Sequence, residues 1–134
     1  GIEAARQAGV RSPLAELSID KAAIRALSRA LGFPWWDKPA QPCLASRFPY
    51  GESISAERLK RVGQAEAWLI ARGFSSVRVR SHGLAARIEV PIEQIRAVLT
   101  LAESEPLVEA FRALGFTSVN LDLEGLVSGK LNRR

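Results

Sequence analysis

ARGFSSV, residues 71–77, is the stretch that decides the fold, because the same order of residue types returns as ALGFTSV at residues 113–119. Each copy reads as the end of a helix, a Gly-Phe stop and the start of a strand. Two helix-to-strand units of this kind predict a small layered structure. We therefore expect an α/β (α+β) fold, with a three-stranded mixed sheet and helices mainly on one of its faces.

The strands themselves are predicted by alternation of apolar and charged residues. SVRVR at residues 76–80 leads through a turn at residues 81–83 to RIEV at residues 87–90, and a last strand follows at residues 118–123. The apolar residues of the hairpin should face the core: Val77, Val79, Ile88 and Val90. The opposite face carries Arg78, Arg80, Arg87 and Glu89. That face is either solvated, or it lets Arg78 and Arg80, two residues apart, grip a phosphate or carboxylate.

Helices are predicted at four places. The first covers residues 20–31, with Asp20 as its N-cap and Gly32 as its stop, and the second begins at Ser55 and ends at Gly73. Shorter helical patterns occupy residues 92–99 and 107–114, the latter stopped by Gly115. Residues 1–17 show no clear period, and the basic tail at residues 125–134 is irregular, with an end that we expect to be disordered.

The second helix carries an anomaly. Its apolar stripe contains Leu59, Val62, Leu69 and Ile70, and Glu66 falls in the middle of that stripe. A carboxylate among apolar neighbours is costly unless it meets an arginine, a metal or a substrate, and a buried ion pair without a chemical role is equally compatible with the sequence. Trp68 projects to the opposite face, and an exposed tryptophan indicates a subunit contact.

The segment DKPAQPCLASRFPYG, residues 37–51, has the composition of a site loop. It holds three prolines and the only cysteine of the chain, Cys43, with Lys38 five residues before it and Arg47 four after it. Nearby cations lower the pKa of a thiol and so activate it, although a lone cysteine is more often an inert buried thiol. A protease-like pair is not indicated, because the only histidine, His82, falls in the hairpin turn, where we expect it to face solvent.

Composition limits the remaining choices. The chain has 134 residues, 47% of them hydrophobic, and a formal charge of +5, so it can bury one ordinary core and favours anionic partners: a nucleotide, a phosphorylated small molecule or nucleic acid. It has no apolar run long enough for a membrane span and no signal segment at its start, which predicts a cytoplasmic protein. One cysteine forms neither an intrachain disulfide nor a CxxC metal site.

Several of these motifs together resemble the LarE family, over nearly the whole chain. The combined set is more specific than any one part: RSPL at residues 11–14, the helix opening at 21–25, LGFP at 31–34, WDKP at 36–39, PCLASR at 42–47, PYG at 49–51, GF at 73–74, VRVR at 77–80, ARIEV at 86–90 and LDLEG at 121–125. Members of that family are ATP-dependent sacrificial sulfur transferases, which help to make the nickel-pincer nucleotide cofactor of lactate racemase.

The resemblance implies a role for each matching residue. In the family, a PP-loop ATP pyrophosphatase domain adenylylates a carboxylate of a phosphorylated pyridinium mononucleotide. Cys43 would attack that activated carbonyl, and loss of its sulfur would leave dehydroalanine. Arg47, Arg78 and Arg80 match the anion binders, and Glu66 matches the acidic site residue, which we take as a catalytic carboxylate. The partners implied are the small-molecule substrate and further copies of the chain, with nucleic acid unfavoured.

Two departures from the family pattern shape the expected organisation. The PP-loop signature Ser-Gly-Gly-x-Asp-Ser is absent, so residues 1–33 are expected to be the C-terminal remnant of an ATPase domain. Residues 34–54 are then a cysteine-bearing loop, and residues 55–134 a C-terminal domain for substrate binding and oligomerisation. ATP and magnesium would bind a missing N-terminal domain, no cofactor or metal is expected on this chain, and the chain alone is expected to be inactive. Its single cysteine favours the sacrificial route over the iron-sulfur cluster that three cysteines hold in some members.

Two other function classes stay open. A related PP-loop enzyme would use the same loop for another thiolation, on tRNA or on a small molecule. A non-catalytic module would instead build an oligomer through Trp68 and the polar face of the sheet. Binding of RNA with a steep salt dependence would indicate the former, because phosphate contacts release counterions.

Overall fold

The computed structural model describes residues 2–38 and 42–127. Contacts divide the chain into two units, residues 1–41 and 42–134, which are considered one at a time. Pro39, in the middle of the proline-rich loop, and residues 128–134, where a disordered end is expected, lie outside the described residues.

Helices make up the regular structure of the first unit. Within residues 2–38 these are α1 (Ile2–Gln7), α2 (Pro13–Glu16) and α3 (Lys21–Ala30). The prediction for α3 is confirmed: the Asp20 carboxylate accepts a hydrogen bond from the Ala23 amide at 2.8 Å, and Gly32 has a φ of +75°. α1 and α2 lie in the segment where the sequence shows no helical period. They were not predicted because helices of 6 and 4 residues are too short to display one. No residue described in this unit is buried.

The second unit is an α+β layer. Within residues 42–127 it contains the 3₁₀ helix Leu44–Arg47, α4 (Ala56–Ile70), β1 (Arg78–His82), β2 (Ala85–Glu89), the 3₁₀ helix Ile92–Gln94, α5 (Ile95–Ser104), α6 (Leu107–Ala113) and β3 (Ser118–Leu121). The strand order is β1-β2-β3, with β1 antiparallel and β3 parallel to β2. The predicted α+β fold with a three-stranded mixed sheet is therefore confirmed. Over the described residues, no helix is long and apolar enough to cross a membrane.

The two Gly-Phe stops end their helices in the same way. Gly73 and Gly115 have φ angles of +95° and +97°. The amide of Phe74 donates to Leu69 O at 3.2 Å, and the amide of Phe116 donates to Phe111 O at 3.1 Å. This left-handed cap turns each chain back onto the layer and buries the phenylalanine that follows the glycine. The repeat in the sequence thus corresponds to a repeat in structure.

One face of the sheet forms the core with α4, α5 and α6. The four hairpin residues predicted to face the core are all buried, and Val79 lies opposite Ile88 in the ladder. Against them pack buried residues of the three helices: Val62, Ala65, Leu69, Val98, Leu107 and Phe111. The α4 stripe ends one residue earlier than expected, since Ile70 is 47% exposed.

The expectation that Trp68 is exposed is wrong. Its side chain is half-buried and packs against the core. Its ring meets Phe111 edge to face at a centroid distance of 6.2 Å, and the Arg72 guanidinium lies over it at 3.5 Å. The indole packs within its own unit because α6 covers the side of α4 on which Trp68 lies. The helical projection of α4 alone does not show this cover.

Phe111 should be a dominant contributor to the stability of the second unit, because it is fully buried and contacts both Trp68 and Phe116. We expect Phe111→Ala to lower the free energy of unfolding by about 3–5 kcal/mol, measured by urea denaturation. Leu123→Ala, at a side chain that is 75% exposed, is the matched control and should change little. Equal effects of the two substitutions would contradict this description of the core.

Candidate functional site

Cys43 begins a short turn at the surface of the second unit. It is exposed and caps the 3₁₀ helix Leu44–Arg47, where its Sγ accepts a hydrogen bond from the Ala45 amide at 3.3 Å. The Ser46 amide donates to the Cys43 carbonyl at 3.0 Å and closes the turn. The thiol is therefore not the inert buried group that is common for a lone cysteine. We call residues 42–47 the cysteine turn.

A buried ion pair holds the first end of the cysteine turn. Arg47 Nε donates to Glu66 Oε1 at 2.7 Å, and its Nη2 donates to Glu66 Oε2 at 3.0 Å. The third nitrogen of the fork, Nη1, donates to the Pro42 carbonyl at 3.2 Å. Both side chains are nearly inaccessible, at 6% and 10% exposure. The out-of-place carboxylate of α4 thus meets an arginine, one of the three partners that the sequence allows.

Glu66 also ties this pair to the sheet. Its Oε1 accepts a hydrogen bond from the Val79 amide at 2.9 Å, on the outer edge of β1. Both carboxylate oxygens are therefore engaged by fixed donors. In this arrangement Glu66 is a support for Arg47, with no oxygen turned toward the thiol by these contacts.

A second buried pair holds the other end of the cysteine turn. Arg80 Nε donates to Glu89 Oε1 at 2.7 Å, and Arg80 Nη1 donates to the Ser46 carbonyl at 2.9 Å. The side chains are 3% and 0% exposed. Two guanidinium groups therefore bind carbonyls of the turn, that of Arg47 from within the turn and that of Arg80 from β1. Each is paired with a buried carboxylate, and Glu89 also lies 3.4 Å from Arg87 Nη2.

Arg78 differs from the other two arginines. Its side chain is half-buried, and within residues 2–38 and 42–127 its guanidinium has no hydrogen-bond or ion-pair partner. Burial, and then the positive charges of Arg47 and Arg80, lower the pKa of Arg78. The charges of Glu89 and Glu66 act in the opposite direction without reversing this shift. A half-buried guanidinium with unpaired donors can bind an anion. Among the three arginines singled out by the sequence, Arg78 is the one whose donors are available.

The sheet face opposite the core is not a solvated face. Arg80 and Glu89 are 2% and 0% exposed, so that alternative is wrong for the middle of the hairpin. In the ladder Arg78 lies opposite Glu89, and Arg80 lies opposite Arg87. Sequence reasoning placed Glu89 on this face and gave it no role. The signal that would have found it is that Glu89 is the one acid among three arginines there.

Two further residues named from the sequence are His82 and Lys38. His82 is the last residue of β1 and is exposed, as expected; partial desolvation, and then the charge of Arg87, lower its pKa. Lys38 belongs to the first unit. In the part of the chain that is described, no three His, Cys, Asp or Glu side chains are grouped as metal ligands.

The chain is 57% identical over 133 residues to an uncharacterized protein of Synechocystis sp., covering 99% of this chain and 50% of that protein. It is 39% identical over 132 residues to the pyridinium-3,5-bisthiocarboxylic acid mononucleotide synthase of Lactiplantibacillus plantarum, covering 98% of this chain and 47% of the synthase. The chain is therefore similar to about half of that synthase. No family model matches the chain.

A third relative is less similar to the chain. An uncharacterized protein of Methanocaldococcus jannaschii is 28% identical over 124 residues, which is 92% of this chain and 47% of that protein. The chain spans about half the length of the curated relatives that it matches. The likeness therefore concerns one part of each relative.

The LarE resemblance marks five residues, and hydrogen bonds connect four of them to the cysteine turn or to each other. Arg47 and Glu66 pair with each other, while Arg80 bonds the same turn that Cys43 begins. Arg78 lies within electrostatic range of Arg47, Arg80 and Glu66. The guanidinium groups of Arg47 and Arg80 are thus connected to Cys43 through hydrogen bonds to the backbone of one turn.

Removing Arg47 should leave the Glu66 carboxylate buried without a charge partner. We expect Arg47→Ala to lower the free energy of unfolding by about 3–5 kcal/mol, measured by urea denaturation. The matched control is Arg11→Ala, which breaks an exposed ion pair with Glu16 and should have no resolvable effect. A stability for Arg47→Ala equal to that of the control would show that the pair is not buried as described.

Proposed function

We propose that this chain carries the sulfur-donating cysteine of a LarE-type enzyme in nickel-pincer cofactor biosynthesis. The observation that carries the proposal is the exposed thiol of Cys43 at the start of a turn fixed by two buried guanidinium groups. A third guanidinium, that of Arg78, has no hydrogen-bond or ion-pair partner among residues 2–38 and 42–127, and it supplies the anion site that a phosphorylated substrate requires. The synthase from Lactiplantibacillus plantarum, by its name, makes a bisthiocarboxylic acid mononucleotide.

The proposed reaction has two covalent steps. In the first, the Cys43 thiolate attacks the carbonyl carbon of an adenylylated carboxylate, a C–S bond forms, and AMP leaves with the bridging oxygen. In the second, a base removes the Cα proton of residue 43, the electron pair forms a Cα=Cβ double bond, and the Cβ–S bond breaks. The sulfur leaves on the substrate as a thiocarboxylate, and dehydroalanine remains. Each chain would therefore react once.

The residues divide these tasks according to their contacts. Arg78 would bind the phosphate or carboxylate of a pyridinium mononucleotide, since its donors are unpaired in the described part of the chain. Arg47 and Arg80 also add positive charge, and their forks hold the turn through Pro42 O and Ser46 O. Glu66, assigned from the resemblance to a catalytic role, would act by keeping Arg47 in place, because both of its oxygens are occupied.

The remaining parts of the proposal concern the whole protein. ATP and magnesium would be bound by an ATPase domain outside this sequence, because the Ser-Gly-Gly-x-Asp-Ser loop is absent here. The enzyme would be cytoplasmic and would assemble from several copies. This chain alone would neither bind ATP nor complete a turnover. Of the other two function classes, the oligomer-building module loses its main support, because Trp68 packs within its own unit.

The direct test uses the complete enzyme with ATP, magnesium and the pyridinium mononucleotide. After one turnover, mass spectrometry of the peptide containing residue 43 should show it lighter by one molecule of hydrogen sulfide. Cys43→Ser is the control: it should remain folded and show neither the mass loss nor thiolated product. An unchanged thiol after product formation would end the sacrificial version. In a parallel reaction with RNA in place of the mononucleotide, thiolation of the RNA would favour the tRNA-thiolation alternative.

A further inference from the structure

We infer that Glu89 is a positioning residue for Cys43, acting through Arg80 on the far end of the cysteine turn. The inference rests on the proposed function only in taking Cys43 as the reacting group. Neither the motifs nor the comparisons give Glu89 a role. It would neither touch substrate nor transfer a proton.

The contacts run without a gap from Glu89 to the turn. Glu89 Oε1 accepts from Arg80 Nε at 2.7 Å, and Arg80 Nη1 donates to the Ser46 carbonyl at 2.9 Å. Ser46 in turn donates its amide to the Cys43 carbonyl at 3.0 Å. Each link is a hydrogen bond of ordinary length between named atoms. A displacement of Glu89 is therefore passed to the backbone of the turn.

Arg80 needs Glu89 to act in this way. An arginine side chain has many rotamers, and a carbonyl oxygen alone contacts only one nitrogen of the fork. A carboxylate on Nε fixes the plane of the guanidinium, which sets the direction in which Nη1 points. Because Glu89 has no exposed surface, water does not compete for that bond.

Stability alone does not account for Glu89. Its Oε1 also accepts a longer hydrogen bond from Arg87 Nη2 at 3.4 Å, and within the described residues its Oε2 is buried without a hydrogen-bond partner. A buried carboxylate with one unpaired oxygen is costly, and replacing a buried ion pair by apolar residues is often neutral or stabilising. The orientation of Arg80 is the feature that this arrangement supplies.

The opposite end of the turn shows the same construction. Glu66 holds Arg47, and Arg47 Nη1 donates to the Pro42 carbonyl at 3.2 Å. Glu66 on α4 and Glu89 on β2 thus orient two guanidinium groups, which donate to carbonyls on either side of Cys43. The backbone is therefore fixed both before and after Cys43, and Glu89 orients the guanidinium that fixes it after Cys43.

The test is amide hydrogen exchange in Glu89→Gln, which keeps the shape of the side chain and removes its charge. We expect the amides of Ser46 and Phe48 to exchange about tenfold faster or more, as for loss of a charge-assisted hydrogen bond. Amides in the middle of α4 should change much less. Glu105→Gln is the matched control: Glu105 pairs with Arg72 at the surface, and its loss should leave the turn unchanged.

Arg80→Lys covers the case in which Glu89→Gln fails to fold. This substitution keeps a positive charge beside Glu89 but removes the Nη1 group that donates to Ser46 O. The same local acceleration of exchange is therefore expected. In the complete enzyme, either variant should lower the single-turnover rate at saturating substrate and leave the half-saturating concentration nearly unchanged.

Acceleration spread evenly over α4 and the turn would overturn the inference, because it would mean a general loss of stability. Unchanged exchange at Ser46 and Phe48 in folded variants would overturn it as well. These outcomes are read without any sulfur transfer, so they are distinguishable from failure of the proposed function, in which Cys43 keeps its sulfur while the exchange pattern still appears.

Discussion

Two hydrogen bonds to backbone carbonyls, from Arg47 to Pro42 O and from Arg80 to Ser46 O, are the interactions on which the rest of this site depends. A six-residue turn at the surface has few contacts of its own with which to resist fraying. Here its carbonyls are bound by two guanidinium groups, one of its own last residue and one of β1, and each guanidinium is held by a buried carboxylate. The thiol of Cys43 stays exposed, while the backbone on either side of it is held by these two hydrogen bonds.

The hydrophobic layer makes that fastening possible. The core brings α4 and β1 together, so Glu66 reaches both Arg47 and the edge amide of Val79. Gly63 lets the turn approach α4, because a Cβ there would lie 3.2 Å from the Leu44 side chain. Phe48, which follows the turn, is 4% exposed and joins the core. Packing on one side and ion pairs on the other therefore locate Cys43.

Much of this architecture was predictable from local signals. The Gly-Phe repeat fixed where two helices end, and the alternation around Val79 and Ile88 identified the core face of the hairpin. Glu66 was recognisable as an anomaly because a carboxylate in an apolar stripe must have a partner. Each of these signals lies within one element or between neighbours in sequence.

The rest depends on contacts that no single element reveals. Whether Arg80 binds a ligand or a backbone carbonyl depends on where residues 42–47 lie, 34 positions earlier in the chain. Trp68 projected to an exposed face because its cover, α6, follows it by some forty residues. The role of Glu89 is equally non-local, since its importance comes from what Arg80 touches.

Arg47 and Arg80 are held by buried carboxylates, whereas Arg78 has no hydrogen-bond or ion-pair partner among the described residues. Exchange of the arginine Nε–H protons with water, followed by NMR, measures this difference directly. We predict slow exchange and distinct signals for Arg47 and Arg80, whose Nε–H groups donate to buried carboxylates at 2.7 Å. Arg78 should exchange much faster until phosphate is added. Rapid exchange at all three arginines would contradict the account, as would an Arg78 that is protected without any anion.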